Sequence, residues 1–178
     1  PVRAKKRDVF VVESPAVLLH CPLVIDLGGV WLRPEGPFFI TGTKPRASHP
    51  GSGAESGADS DPDDAPLDAI DHALFDNIIW PALAARIPAF EALRVRSAWA
   101  GYYEVNTFDH NALIGALPGW RNAVCVCGFS GHGMQHALAV GQSLASWLAT
   151  GAWGRVDLSP LSPARIARQE RLVEANVI

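Results

Sequence analysis

The sequence predicts a mixed α+β chain built around antiparallel strands. Three observations predict it. Two hairpin signals follow one another within the first forty residues. A run with apolar residues at helical spacing occupies residues 67–86. A strand then passes through a glycine-rich loop into a long helical stretch ending at Thr150-Gly151.

The elements can be justified in chain order. Val9-Phe10-Val11-Val12 is β-branched and aromatic, and Leu23-Val24-Ile25-Asp26 is a second such run. Gly28-Gly29 is a hairpin signal leading into Val30-Trp31-Leu32-Arg33. Pro34-Glu35-Gly36-Pro37 then turns the chain into Phe38-Phe39-Ile40-Thr41. Two hairpins in series predict an antiparallel meander. Ile70, Leu74, Ile78 and Ile79 share a helical face, and Pro81 is expected to break or restart that helix. The stretch from Leu93 to Tyr103 alternates in part and predicts a long strand. Asn122 to Cys127 predicts a compact apolar strand, followed by a helix from about Gly131–Gly133 to a Gly151 C-cap. Ser162-Pro163 opens a last short helix with proline at its first position.

Composition narrows the function classes. The 178 residues are 48% hydrophobic and 19% charged, with a formal net charge of −3, the profile of a globular protein rather than a disordered or basic nucleic-acid-binding one. No apolar run approaches the roughly 18–20 residues needed to span a bilayer. Three cysteines (Cys21, Cys125, Cys127) are too few for a disulfide scaffold. Residues 51–76 carry eight acids and no Lys or Arg, among Pro, Gly and Ser, which predicts a solvated loop over 43–66. Asp59-Ser60-Asp61-Pro62-Asp63-Asp64 lacks the glycine and the closing glutamate of a calcium-binding EF-hand loop. The start at Pro1 has neither an initiator methionine nor a secretory signal. The expectation is therefore that the numbered chain begins inside a larger gene product.

The informative chemistry lies in Ala123-Val124-Cys125-Val126-Cys127 and the loop Gly128-Phe129-Ser130-Gly131-His132-Gly133. Three glycines in six residues let a ligand approach the backbone. The helix behind them aims free N–H groups and about half a positive charge at the same spot. A tight turn whose glycines serve only packing is the plain alternative. The pattern is not the G-x-G-x-x-G dinucleotide fingerprint, because His136 stands where its third glycine belongs. Cys125 and Cys127 with His132 and His136 have the residue types of a tetrahedral zinc site. The four-residue handover from strand to helix makes convergence difficult, so the reading favours no metal. Tyr102, Tyr103, Glu104, Thr107, Asp109 and His110 form a polar-aromatic cluster that either lines a pocket or ends the strand.

Two long motifs carry a resemblance: Ser97-Ala98-Trp99-Ala100-Gly101-Tyr102-Tyr103-Glu104-Val105-Asn106-Thr107-Phe108-Asp109-His110-Asn111 and Gly128-Phe129-Ser130-Gly131-His132-Gly133-Met134-Gln135. They resemble the D-amino-acid oxidase/sarcosine oxidase superfamily of FAD-dependent oxidoreductases. The likeness is greatest to its FAD-dependent oxidoreductase domain-containing branch, which in animals is linked to mitochondrial complex I assembly. The resemblance implies the C-terminal half of a two-domain flavoenzyme that lacks its N-terminal Rossmann GxGxxG half and is inactive by itself. Residues 1–42 and 67–121 would belong to the substrate domain, with 43–66 as the acidic loop. Residues 122–178 would supply the last strand, flavin-facing loop and helices of the FAD domain.

Several expectations follow from that resemblance. Gly128, Phe129, Ser130, Gly131, His132, Gly133 and Met134 would flank FAD, with Gln135 and Tyr103 facing a small amino-acid or amine substrate. The reaction would oxidise a C–N bond by hydride transfer to flavin. Sarcosine oxidases tend to carry Lys where Gln135 stands, and the tyrosines and Tyr-His pair they show around Trp31, Thr43 and Lys44 are absent here. Where some members attach FAD through Cys, this chain offers Tyr102 or Tyr103, which implies non-covalent FAD. A cytoplasmic setting is expected, with the mitochondrial matrix as alternative. The competing function is a non-enzymatic assembly or interaction module derived from the same family.

Overall fold

The computed structural model describes residues 1–16, 18, 20–44 and 65–173. Most of the acidic 43–66 stretch, His49 within it, and the last five residues of the chain lie outside them. Seven strands are described: β1 (Val2–Glu13), β2 (Val24–Ile25), β3 (Trp31–Glu35), β4 (Phe38–Gly42), β5 (Arg94–Asn106), β6 (Leu113–Ala116) and β7 (Val124–Cys127). The helices are α1 (His72–Leu74), α2 (Trp80–Arg86), α3 (Gly133–Thr150) and α4 (Ala164–Ala167), with a π-helical segment at Phe75–Ile79 and 3-10 turns at Pro88–Ala92 and Ser159–Leu161. The fold is mixed α+β with antiparallel sheets, as the sequence predicts. No helix among the described residues is long and apolar enough to cross a membrane.

The five-stranded sheet has the order β2-β3-β4-β1-β5. The two expected hairpins are present, with Val24 opposite Leu32 and Arg33 opposite Ile40. Strand β1 joins beyond β4, with Phe10 opposite Thr41. Contacts divide the chain into two compact units: one is Lys5–Tyr102, and the other gathers Pro1–Ala4 with the chain from Tyr103 onward.

In the first unit, alternation along β1 puts Phe10 and Val12 on one sheet face with Val30, Leu32 and Phe39. Leu74, Phe75, Ile79, Leu83 and Phe90 cover that face. Phe90 meets Phe39 edge-on at 5.3 Å between centroids, and Phe75 meets Phe10 at the same spacing. The helical run begins where the Asp71 carboxylate accepts the Leu74 N–H at 3.3 Å, while the Asp71 N–H donates to Asp8 at 3.0 Å. Replacing Asp71 by alanine is expected to remove this cap and cost about 1 kcal/mol, read as a lowered urea midpoint.

Pro81 neither breaks the helical run nor leaves it unchanged. The α-helix restarts at Trp80 after one π turn, in which the Trp80 N–H reaches back to the Phe75 carbonyl. Widening the turn just ahead of the ring places Pro81 at the start of α2, where no N–H is required. Phe75 and Ile79 are both buried by this arrangement.

The second unit contains β6 and β7 as an antiparallel pair, with Ile114 opposite Val126. The pattern reading did not anticipate β6. Ala112, Ile114, Val140 and Leu158 form its core, with Phe129, Leu144, Trp153 and Leu161 packed against it. Helix α3 ends at Gly151 in the left-handed region, φ +79°, and Trp147 stacks on Trp153 at 5.1 Å.

Candidate functional site

The loop 128–133 lies within the second unit, between β7 and α3. Its backbone combines three left-handed residues: Gly128 at φ +75°, Ser130 at +52° and Gly131 at +98°. Gly128 is buried, and a Cβ there would stand 3.1 Å from the Asn106 Cβ and 3.2 Å from Val2, so the loop needs glycine for space as well as for φ. The loop is tied to the end of β5 by a bridge between Phe129 and Val105. The Ser130 N–H donates to the Glu104 carbonyl at 3.2 Å, and the Phe129 N–H to the Glu104 carboxylate at 3.4 Å.

His132 is the N-cap of α3, with its N–H donating to the Phe129 carbonyl, but its side chain does not cap the helix. Gly133 therefore opens an 18-residue helix whose first turn has no side-chain acceptor at its cap. Met134 and Gln135 project from that turn, Met134 at 91% exposure. Tyr103 is half-buried on β5, next to Glu104. The strand end and the loop are thus brought together through Glu104 and Val105.

The zinc alternative does not assemble. His132 and His136 stack on each other at 6.2 Å, and Phe129 lies 6.3 Å from His136. Among the described residues, no group of three or more His, Cys, Asp or Glu is placed to hold a metal. Burial pushes the thiol pKa values of Cys125 and Cys127 up, and their mutual contact and the nearby Glu104 carboxylate add to the rise at Cys127.

Of the polar cluster that the sequence left divided between pocket and strand end, Asp109 is built into the fold, together with its neighbour Asn106. Asn106 and Asp109 are buried, at 0% and 3% exposure, and their partner Arg165 is at 1%. Arg165 grips Asp109 with two bonds, Nε to Oδ2 at 2.9 Å and Nη2 to Oδ1 at 3.0 Å. Asn106 adds a bond to Asp109 Oδ1 at 2.8 Å, and the N–H groups of Asn111 and Leu172 donate at 3.2 and 3.1 Å. Burial alone would raise the Asp109 pKa. The hydrogen bonds and charge of Arg165, with those two backbone donors, outweigh it and hold the carboxyl below its ordinary range. Arg165 escaped the sequence reading because it stands 56 residues from its partner, in a short helix whose residues carried no chemical signal of their own.

Comparison with known proteins places this geometry in a family. The profile described as "DAO: FAD dependent oxidoreductase" matches residues 1–147. FAD-dependent oxidoreductase domain-containing protein 1 of Xenopus laevis is 40% identical over 100% of this chain, and that of Mus musculus 37% over 100%. The chain spans about a third of the length of these relatives, 34% and 35%. Among solved structures, L-proline dehydrogenase from P. horikoshii superposes with a TM-score of 0.76 at 24% identity, covering 96% of this chain and 42% of that one. Glycine oxidase from Geobacillus kaustophilus gives 0.66 at 20%, covering 90% and 38%. On the matched residues and the shared fold, the chain belongs to the FAD dependent oxidoreductase family.

Proposed function

We propose that this chain forms the flavin-facing part of an oxidoreductase that oxidises the C–N bond of an amino acid or N-methyl amino acid, with FAD held non-covalently. The observation that carries the reading is the start of α3, which lacks a side-chain cap behind a loop with left-handed residues at Gly128, Ser130 and Gly131. Donors left open at a helix start, behind backbone that a flat group can approach, fit a flavin edge. The shared family supports FAD as the group, and the proline and glycine acted on by two structural neighbours support an amino-acid substrate.

The cofactor supplies the hydride acceptor. The N–H groups of Gly133, Met134 and Gln135 present the positive end of α3 to the edge that gains negative charge, an already oriented form of electrostatic stabilisation. The Gln135 amide donates to the substrate carboxylate, and Tyr103 faces the substrate from β5. An amide supplies direction but no charge, so carboxylate recognition here is weaker than a lysine would give. His132 shapes the turn. The remaining part of the site is an upstream ADP-binding strand–GxGxxG–helix half. Val124 and Val126 on β7, with Met134 and Leu138 one turn apart on α3, are exposed apolar residues suited to pack against it.

The test is to produce the longest natural reading frame that carries this chain. It is expected to purify yellow, to release FAD on denaturation, and to bleach anaerobically with a secondary or D-amino acid. A colourless protein that cannot be reconstituted with FAD would overturn the reading.

A further inference from the structure

Ser130 holds a left-handed backbone conformation without being glycine, and it is fully buried. Such a residue persists only where its surroundings over-determine it. Its Oγ accepts the Asn106 N–H at 3.1 Å and lies 3.2 Å from the Gly128 carbonyl, to which it donates. Asn106 is held just as tightly on its other side. Its Nδ2 donates to Asp109 Oδ1 at 2.8 Å and to the Asn111 carbonyl at 2.6 Å, while its Oδ1 accepts the Phe108 N–H at 3.1 Å. Its Cβ is also the atom that a Cβ at Gly128 would meet first.

We propose that Asn106 is the positioning residue of the loop 128–133: held by the Asp109–Arg165 pair, it sets where that loop stands for the cofactor. The proposal deepens the flavin reading of the loop and rests on it. The physical route is short. Arg165 on α4 fixes Asp109 through two bonds and also donates to the Leu161 and Asn111 carbonyls, at 2.8 and 3.1 Å. Asp109 in turn orients the Asn106 amide, and the Asn106 backbone N–H donates to Ser130 Oγ. Every hydrogen-bonding side chain in this series is buried, so water cannot substitute for a lost partner without opening the unit. Asn106 and Asp109 are both buried inside the unit. Their effect passes through the position of the Ser130 and Gly131 backbone.

The experiment compares Asn106→Ala and Ser130→Ala with Leu158→Ala, in the complete flavoprotein that carries this chain. Leu158 belongs to the core of the same unit, and its side chain is outside the hydrogen-bond series. At equal loss of Tm, Asn106→Ala is expected to raise the FAD Kd about tenfold, the scale of one lost buried hydrogen bond. It is also expected to shift the visible flavin band and midpoint potential, while Leu158→Ala keeps the Kd within about twofold. Ser130→Ala removes one hydroxyl and is expected to do the same to a lesser degree, so it carries the comparison if Asn106→Ala does not fold. Equal Kd, band and potential in the network and core variants would overturn the proposal and leave the flavin reading intact. A parent protein that takes up no FAD would overturn the flavin reading instead. Amide exchange over 130–135 then decides the positioning role alone. Faster exchange in the network variants than in Leu158→Ala supports it, and equal exchange overturns it.

Discussion

Replacing Arg165 by alanine is expected to cost about 3–5 kcal/mol, because it strands a buried carboxylate rather than merely deleting a contact. Asp109 is 3% exposed and would lose both guanidinium bonds, while the remaining Asn106, Asn111 and Leu172 donors cannot neutralise its charge. Urea unfolding at neutral pH measures the loss. The pair also dictates an acid dependence. Its carboxyl is held below the ordinary range, so its contribution is fully present above the unfolded-state value of about 3.9 and is lost as pH falls through its own lower value. The urea midpoint of the parent protein should therefore lose this contribution only below about pH 4. Arg165→Ala should lose less over that interval, since protonation relieves its stranded charge. An equal acid-dependent loss in both proteins would show that the pair is not the source.

Gly42→Val is the second large effect, of roughly 2–3 kcal/mol, and it arises from space rather than backbone freedom. Gly42 pairs with Val9 on one side and Trp31 on the other, inside the five-stranded sheet. A Cβ there would stand 2.9 Å from the Asp8 carbonyl oxygen and 3.0 Å from the Trp31 ring. A flexible side chain could retreat, but a carbonyl in a paired strand moves only with its strand. Gly101→Ala on β5 is the control, since a Cβ there meets nothing within 4 Å. A urea midpoint in Gly42→Val no lower than in Gly101→Ala would mean that β1 and β4 separate freely.

The parts of the fold that were legible in sequence share one property: their signals are local. The Gly28-Gly29 turn, the Gly36-Pro37 turn, the Gly151 C-cap and the passage from Cys127 through the glycines into α3 each depend on residues a few positions apart. Strand β6 was missed because Leu113-Ile114-Gly115-Ala116 is only four residues long and contains a glycine at φ +127°, so its strand character comes from pairing with β7. The loop 128–133 was recognisable as a unit, but nothing in its spacing showed what anchors it. That anchor joins Asn106, Asp109, Ser130 and Arg165 across separate elements. Asp109 looked like any polar residue after a strand until the fold placed a guanidinium beside it.

The π turn at Phe75–Ile79 makes the helical run sensitive to length in an unusual way. A π turn holds one residue more than the α-helix around it, so this segment contains a built-in phase shift of about 100°. Deleting one residue there would let an uninterrupted α-helix form and improve the local backbone geometry. The same deletion would leave Leu83 turned toward the core, because it removes only the residue the π turn absorbs, but it would set Pro81 inside a helix interior. The bulge thus works as a phase corrector, keeping the apolar faces before and after it turned toward one sheet.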